Sequence, residues 1–167
     1  MANSGQLTGM RGVYLVAAEL ARLGMIASPT SRSAIGADIL ATDLMCSRAF
    51  SVQVKTNART FGFWLLSAKA KKIVSPSHVY VFVNIRPGKA GESIEYYVVP
   101  SAVVAEKMVS GAEWHQFNLV DARPYRDRWD IFPCAAAADL TSASTRTPRK
   151  RGAPEAARQP DPRDVVG

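Results

Sequence analysis

Residues 49–56 read Ala-Phe-Ser-Val-Gln-Val-Lys-Thr, and this stretch decides the fold. Its apolar and polar side chains alternate, which is the pattern of a β-strand with one apolar face. Gln53 and Lys55 lie two residues apart, so their side chains share the polar face of that strand. The stretch therefore predicts a sheet strand that presents an amide and an ammonium group side by side.

Helices and further strands are predicted on both sides of this strand. The apolar residues of 7–23 recur at helical spacing, and the segment 34–40 is predicted to form a hairpin with 49–56 through the short link 43–48. Ser28 to Ser31 are predicted as a turn, and 60–72 begins like a strand and ends like a helix. The remaining predicted elements are paired strands over 78–85 and 94–99 and a helix from Ser101, its N-cap, to about Val109. This order predicts an α/β domain with a mixed β-sheet flanked by helices.

The composition changes near residue 140. The segment 140–167 contains six basic and three acidic residues, four prolines and no aromatic residue. Such a segment buries too little apolar area to offset its chain entropy, so a disordered basic tail is predicted there. The sequence thus predicts one folded domain over 1–139, with its core within about 7–133.

The overall composition is that of a basic globular protein. Hydrophobic residues make up 47% and charged residues 21% of the 167 residues, and the net charge is +7. This excludes a fully disordered or collagen-like chain and favours a polyanion, nucleic acid first, as partner. No apolar run is long enough for a membrane span, and no secretory signal is expected. Cys46 and Cys134 are too far apart for a zinc ribbon and are predicted to be buried thiols of a cytoplasmic protein.

A candidate metal site follows from the spacing of three polar residues. Asp38 precedes Gln53 by fifteen residues, and pairing of their strands brings a carboxylate, an amide and the Lys55 ammonium to one patch. The backbone carbonyl of Val54 adds a further oxygen. Hard oxygen ligands of this kind suit Mg²⁺ or Mn²⁺, and a lysine beside the metal can hold or deprotonate a water. Asp43 is an alternative ligand, although turn chemistry explains it as well.

The order of these elements resembles the PD-(D/E)XK nuclease-like fold of the restriction-endonuclease-like superfamily. The resemblance covers about residues 10–110: a helix, a strand with Asp38, a strand with Gln53-Val54-Lys55, a helix and a strand. It implies metal-dependent hydrolysis of phosphodiester bonds, in DNA rather than RNA, with Asp38, Gln53 and the Val54 carbonyl as ligands of Mg²⁺ or Mn²⁺. Lys55 is then the residue that positions the attacking water. Many nucleases that cut both strands act as dimers, so the resemblance also allows a homodimer.

The resemblance assigns a further acid and shows two departures. Glu19, on the first helix, stands where many members carry a glutamate of the site, and the resemblance implies that it holds the metal's water or a second cation. Arg22 could equally hold it in a surface ion pair. Ala37 replaces the proline of the motif. Gln53 replaces its Asp or Glu, which removes a charge and should lower the affinity for a metal, although some active members carry Gln there.

Basic and aromatic residues supply candidate contacts to nucleic acid. Near the predicted strand and at the end of the next element lie Arg48, Arg59, Lys69, Lys71 and Lys72. Such a cluster suits a phosphate track, and a solvated helix end is the alternative. Trp114, Trp129 and Tyr125 could stack on bases but fit a core role better. His78 and His115 are predicted to be structural.

Three functions from different classes remain open on the sequence. The first is a metal-dependent nuclease. The second is a catalytically inactive nucleic-acid-binding or accessory protein of the same fold, in which Gln53 has removed the metal chemistry. The third is a structural or interaction domain with weak affinity for nucleic acid.

Overall fold

The computed structural model describes residues 4–31, 36–88, 91–111 and 114–132. The predicted tail over 140–167 and Cys134 lie outside these residues, so the predicted boundary between domain and tail stays a prediction. Within the described ranges, no helix has the length and apolar character that crossing a membrane requires.

A mixed five-stranded sheet forms the centre of the protein. The chain order is α1 (Ser4–Arg22), β1 (Met25–Pro29), β2 (Ile39–Asp43), β3 (Ala49–Asn57), β4 (Phe63–Leu66), β5 (His78–Gly88), β6 (Gly91–Pro100), α2 (Ser101–Lys107), β7 (Val109–Ser110), β8 (His115–Asn118) and α3 (Leu119–Ala122). The large sheet has the order β1-β2-β3-β5-β6, in which only β3 and β5 are parallel. The predicted mixed sheet flanked by helices is confirmed.

Helix α1 covers one face of this sheet. Its apolar residues Val16 and Leu20 are fully buried against the even-numbered side chains of β3, such as Val52, and the odd-numbered ones of β5. The helix ends where Gly24 adopts a positive φ of 81°, a conformation that glycine tolerates best. Gly12 lies directly on Thr56 of β3, so the absence of a side chain there lets the helix approach the sheet closely.

A second layer covers the opposite face of β5 and β6. The small antiparallel sheet β4-β8-β7 packs there with α2 and with a 3₁₀ helix, Ala68–Lys71. Aromatic rings fill the interface: Phe82 of β5 stacks on Phe117 of β8 with ring centroids 4.8 Å apart. Because β5 is covered on both faces, its residues are buried continuously from His78 to Ile85, as its unbroken apolar sequence predicts.

Two predicted elements differ from the structure near the start of the sheet. Residues 25–29 form the edge strand β1, although the only pattern visible there predicted a turn from Ser28. The predicted strand 34–40 lies later, as β2, and Asp38 precedes it. The edge strand was missed because β1 is short and three of its five residues are exposed, so its pattern is weak until it pairs with β2.

Two side chains also have other environments than predicted. Ser101 is the first residue of α2 and not its cap. Its buried hydroxyl donates to the Ser75 carbonyl at 2.9 Å and accepts from the Ser75 N–H at 3.0 Å. Cys46 is exposed in the β2–β3 turn, where its φ is 53°, and is therefore not the buried thiol that was predicted.

The contact between Gly12 and Thr56 gives a first prediction. A Cβ at position 12 would lie 3.0 Å from Thr56 Cβ, which a change of rotamer cannot relieve. We expect Gly12→Ala to lower the free energy of unfolding by roughly 1–3 kcal/mol, measured by urea denaturation. Gly9→Ala is the matched control, because a Cβ there meets nothing within 4 Å. It should be neutral or stabilising by up to about 1 kcal/mol, and equal effects of the two substitutions would contradict this reading of the interface.

Candidate active site

Asp38 lies at the point where β2 begins and its backbone is held from both sides. Its N–H donates to the Val52 carbonyl of β3 at 2.8 Å, and its carbonyl accepts from the Thr30 N–H, just after β1, at 2.9 Å. The backbone of Asp38 therefore sits between two neighbouring strands. This leaves its half-buried carboxylate with little freedom of position.

The Asp38 carboxylate binds β3 where the backbone pairing with β2 stops. Its Oδ2 accepts from the Val54 N–H at 2.8 Å and from the Gln53 side-chain amide. Within one strand residue the N–H and the C=O point to the same side, so the Val54 carbonyl also points towards this edge of β3. The structure thus brings together Asp38, Gln53 and Val54, three of the four residues predicted to hold the metal.

Lys55 lies next along β3, on the same face as Gln53. That face is turned away from α1, because Gln53 pairs with Tyr80 and Lys55 with Phe82 of β5, both in the second core cluster. Lys55 lines a cavity of about 920 Å³, whereas Asp38 lines a smaller one of about 390 Å³ beside α1. Within the described residues no ion pair joins Asp38 and Lys55, and the two side chains line different cavities.

Tyr80 is a buried residue near Asp38 that the sequence analysis did not single out. It pairs with Gln53 in the sheet and is 4% exposed. Burial is the main cause of a raised pKa for its phenol, and the negative charge of Asp38 raises that pKa further. The Tyr80 hydroxyl is therefore neutral. The alternation within β5 could have placed Tyr80 on the face of Gln53. Its closeness to Asp38 depends on the parallel register of β3 and β5, which the sequence does not encode locally.

Glu19 is not brought to Asp38. Its Oε2 pairs with the Arg22 guanidinium at 2.8 Å. Burial is the main cause of the raised pKa of Tyr96, and the negative charge of Glu19 is the second cause. Tyr96 belongs to β6, two strands beyond β3, or roughly 10 Å away across the sheet. Glu19 and Asp38 therefore lie on opposite flanks of α1, and the surface ion pair expected as its alternative is the arrangement found.

The predicted basic contacts separate into three groups. Lys69, Lys71 and Lys72 are exposed on and after the 3₁₀ helix, and the following Ile73 packs close to Gly36, two residues before Asp38. Arg59 lines the larger cavity with Lys55. Arg48 lies in the β2–β3 turn at the opposite end of β3, roughly 23 Å from Lys55 along the strand.

Asp43 is accounted for by local turn chemistry. Its carboxylate accepts from the Ser47 N–H at 2.7 Å and from the Ser47 hydroxyl, which together lower its pKa. It stands at the far end of β2 from Asp38, beside the turn that leads into β3. Asp43 is therefore separate from the cluster at Asp38.

The donor set at Asp38 fits a weakly bound hard cation. One carboxylate, one amide and one backbone carbonyl are oxygen donors of the kind that Mg²⁺ and Mn²⁺ accept, and Mg²⁺ commonly keeps several waters. The set carries a single formal negative charge. Within the described ranges there is no group of three or more His, Cys, Asp or Glu residues that could hold a metal ion.

Comparison with known proteins extends this description. No protein-family model and no curated protein matches the chain by sequence. Two solved structures are similar in backbone. One is a Holliday junction resolvase, Hjc, from the archaeon Archaeoglobus fulgidus (13% identity, TM-score 0.46, covering 70% of this chain and 93% of that one). The other is the bacterial homing endonuclease I-Ssp6803I (14% identity, TM-score 0.48, covering 85% and 99%).

The element order confirms the predicted resemblance to the restriction-endonuclease-like fold. A helix is followed by antiparallel strands, the second preceded by an acid and the third carrying Gln53-Val54-Lys55, and then by a strand parallel to the third. The helix expected between the last two is the 3₁₀ helix Ala68–Lys71, preceded by β4. The structure thus defines the fold as a mixed α/β sheet flanked by helices, and function has to be inferred from the site itself.

His78, on the same face as Gln53, gives a prediction of pH dependence. It is 2% exposed and its Nδ1 lies 2.8 Å from the Ser51 hydroxyl. Burial lowers its pKa below the ordinary value of 6.5, and a hydrogen bond with the Ser51 backbone opposes this only partly. Its contribution to stability is therefore complete above about pH 6.5 and is lost as the pH falls below that value, because the unfolded chain then binds the proton first.

We expect urea denaturation to show a loss of stability between pH 7.5 and 5.5 that is smaller in His78→Gln. Subtracting one stability curve from the other cancels the contribution of the carboxylates to the pH dependence, because both proteins contain them. Parallel curves would contradict a depressed pKa for His78.

Proposed function

We propose that this protein is a metal-dependent nuclease that hydrolyses phosphodiester bonds in nucleic acid at the cluster of Asp38, Gln53 and Lys55. The observation that carries the proposal is the direct contact of the Asp38 carboxylate with the Gln53 amide and the Val54 N–H. In this proposal one strand edge supplies an acid and two further oxygen donors, and Lys55, the next residue of β3, supplies an ammonium group from the larger cavity.

Each residue has a distinct task in this proposal. Asp38, Gln53 and the Val54 carbonyl hold Mg²⁺ or Mn²⁺. Lys55 holds the attacking water by hydrogen bonding and stabilises the charge that develops on the phosphate oxygens. The bound ion supplies Lewis-acid activation of the phosphate and a lower pKa for a bound water. Glu19, in its ion pair with Arg22, is at most a distant contributor.

The charge distribution supports a nucleic-acid substrate. Lys69, Lys71 and Lys72 are exposed just before Ile73, which packs close to Gly36, and Arg59 lies with Lys55 in the larger cavity. Binding through such contacts weakens with salt, since each one releases counterions. DNA as the substrate, a homodimeric form and a cytoplasmic location remain predictions from the sequence.

A second candidate is a catalytically inactive nucleic-acid-binding or accessory protein with the same fold. The hydrogen bond from the Gln53 amide to Asp38 favours it, because the carboxylate there is stabilised without any cation. The separate cavities of Asp38 and Lys55 favour it as well. Salt-sensitive binding of DNA without cleavage would select this candidate.

Cleavage with Mn²⁺ or Mg²⁺ distinguishes the two. Labelled single-stranded, duplex and branched DNA and RNA are incubated with the purified chain. We expect Asp38→Asn and Lys55→Ala each to lower the cleavage rate by about 100-fold or more, with circular dichroism confirming the fold. Asp43→Asn is the matched control, an acid of β2 outside the cluster, and should cleave like the parent. No cleavage by the parent, or equal cleavage by Lys55→Ala, rules out the nuclease.

The substitution Gln53→Glu tests the metal site without requiring activity. Two carboxylates at hydrogen-bond distance repel each other, so we expect the metal-free variant to melt at a lower temperature than the parent. Mn²⁺ binds the folded state of such a pair, so millimolar Mn²⁺ should restore the melting temperature in the variant far more than in the parent.

The control is Gln116→Glu, which adds the same charge at a half-buried position outside the cluster. Its melting temperature should not respond to Mn²⁺. A Gln53→Glu protein that Mn²⁺ fails to stabilise would show that these residues do not form a cation site.

A further inference from the structure

The larger cavity is a cleft between the end of β3 and the small sheet. The first turns of α1 form one wall, and Lys55, Asn57 and Arg59 lie at its base. The other wall is largely aromatic and carries Phe61, Phe63 and Trp64, with Trp114 and Gln116 beside them. Its volume of about 920 Å³ lies within the range of small-molecule sites, roughly 300–1,000 Å³.

Two large aromatic side chains of this wall remain open to solvent. Trp114 is 50% exposed, and Phe61 is 48% exposed although it stacks on Phe63 at 5.5 Å. Trp129, by contrast, is buried against Tyr96 and Phe132 and has the predicted core role. The exposed Trp114 does not have that role. Exposed aromatic faces that converge on one cleft indicate a binding surface.

The segment that carries Phe61 is held in place before any ligand arrives. The buried Asn57 side chain donates to the Phe61 carbonyl at 2.7 Å and accepts from the Arg59 N–H at 2.8 Å. The Arg86 guanidinium donates to the same Phe61 carbonyl at 3.1 Å and also to the Arg59 carbonyl. A preformed loop of this kind loses little conformational entropy when a ligand binds.

The charges of the cleft identify the kind of ligand. Among the described residues that line it, Lys55 and Arg59 are basic and none is acidic. A cationic base with flat aromatic walls complements a nucleotide, whose phosphate is anionic and whose base is a flat ring. Paired bases inside a duplex expose only their edges, so away from the two ends of a duplex only an unpaired base can stack on Phe61 or Trp114.

We propose that this cleft binds an unpaired nucleotide, with its base stacked on the aromatic wall and its phosphate on Lys55 and Arg59. The inference rests on the proposed function in one respect. If nucleic acid is cleaved at the Asp38 edge, its substrate carries a single-stranded or extruded base. A flap, a loop or a strand end belongs to this class, and a blunt duplex does not.

Binding in EDTA tests the cleft independently of cleavage. Fluorescence anisotropy of the full chain is measured with a labelled single strand and with a blunt duplex of the same sequence. We expect the single strand to bind more tightly, and Trp114→Leu to reduce that preference roughly tenfold. Trp114→Tyr keeps a ring and should retain most of the preference. This pair of variants separates stacking from simple apolar burial, and circular dichroism checks the fold of each.

Tryptophan fluorescence gives a second readout. Trp64 and Trp129 are buried, so quenching by the single strand should come mainly from Trp114 and disappear in Trp114→Leu. Equal affinities for the two nucleic acids, or equal behaviour of the Leu and Tyr variants, would overturn the proposal. Binding of an apolar peptide in place of the oligonucleotide would do so too. Stacking without any cleavage would leave this inference standing and remove only the nuclease.

Discussion

The site depends on one hydrogen bond in which a side chain replaces the backbone. The Asp38 carboxylate accepts from the Val54 N–H at the point where the backbone of β2 no longer pairs with β3. A strand edge that ends in this way would otherwise leave polar backbone groups without a partner, which is costly when they are partly buried. The acid is thus required by the sheet as well as being available for chemistry. Because β1 and β3 both bond the Asp38 backbone, the carboxylate is placed by the most regular part of the fold.

Gln53 changes the electrostatics of this edge. An acid at that position would place two negative charges in contact, and the pair would need a bound cation or a shared proton to be stable. The amide instead donates to Asp38, so the cluster is satisfied in the absence of a metal. The same feature that weakens a cation site therefore stabilises the apo fold, and this is why nuclease and binding protein are the two functions worth separating by experiment.

The two faces of β3 serve different purposes. Toward α1, the strand presents Val52 and Val54 to the core, and Thr56 accepts the close approach of Gly12. On the other face, Gln53, Lys55 and Asn57 lead from the Asp38 edge into the aromatic cleft. Asn57 links the sheet to the cleft directly, since its side chain fixes the segment that carries Phe61. One strand of alternating sequence thus supports a core, a candidate site and a binding cleft.

The sequence by itself determined the strand 49–56, the shared face of Gln53 and Lys55, the hairpin that brings Asp38 to Gln53 and the buried strand 78–85. These features follow from periodicity and from contacts between neighbours in the chain, which a local pattern encodes. The tertiary structure alone decided that Glu19 faces β6, that Tyr80 lies near Asp38, that Arg48 is remote and that Trp114 is exposed on a cleft. Each of these depends on the rotation of α1 over the sheet, on the parallel register of β3 with β5, or on where the small sheet packs. Such relations join segments that are distant in sequence, and packing rather than local pattern sets them.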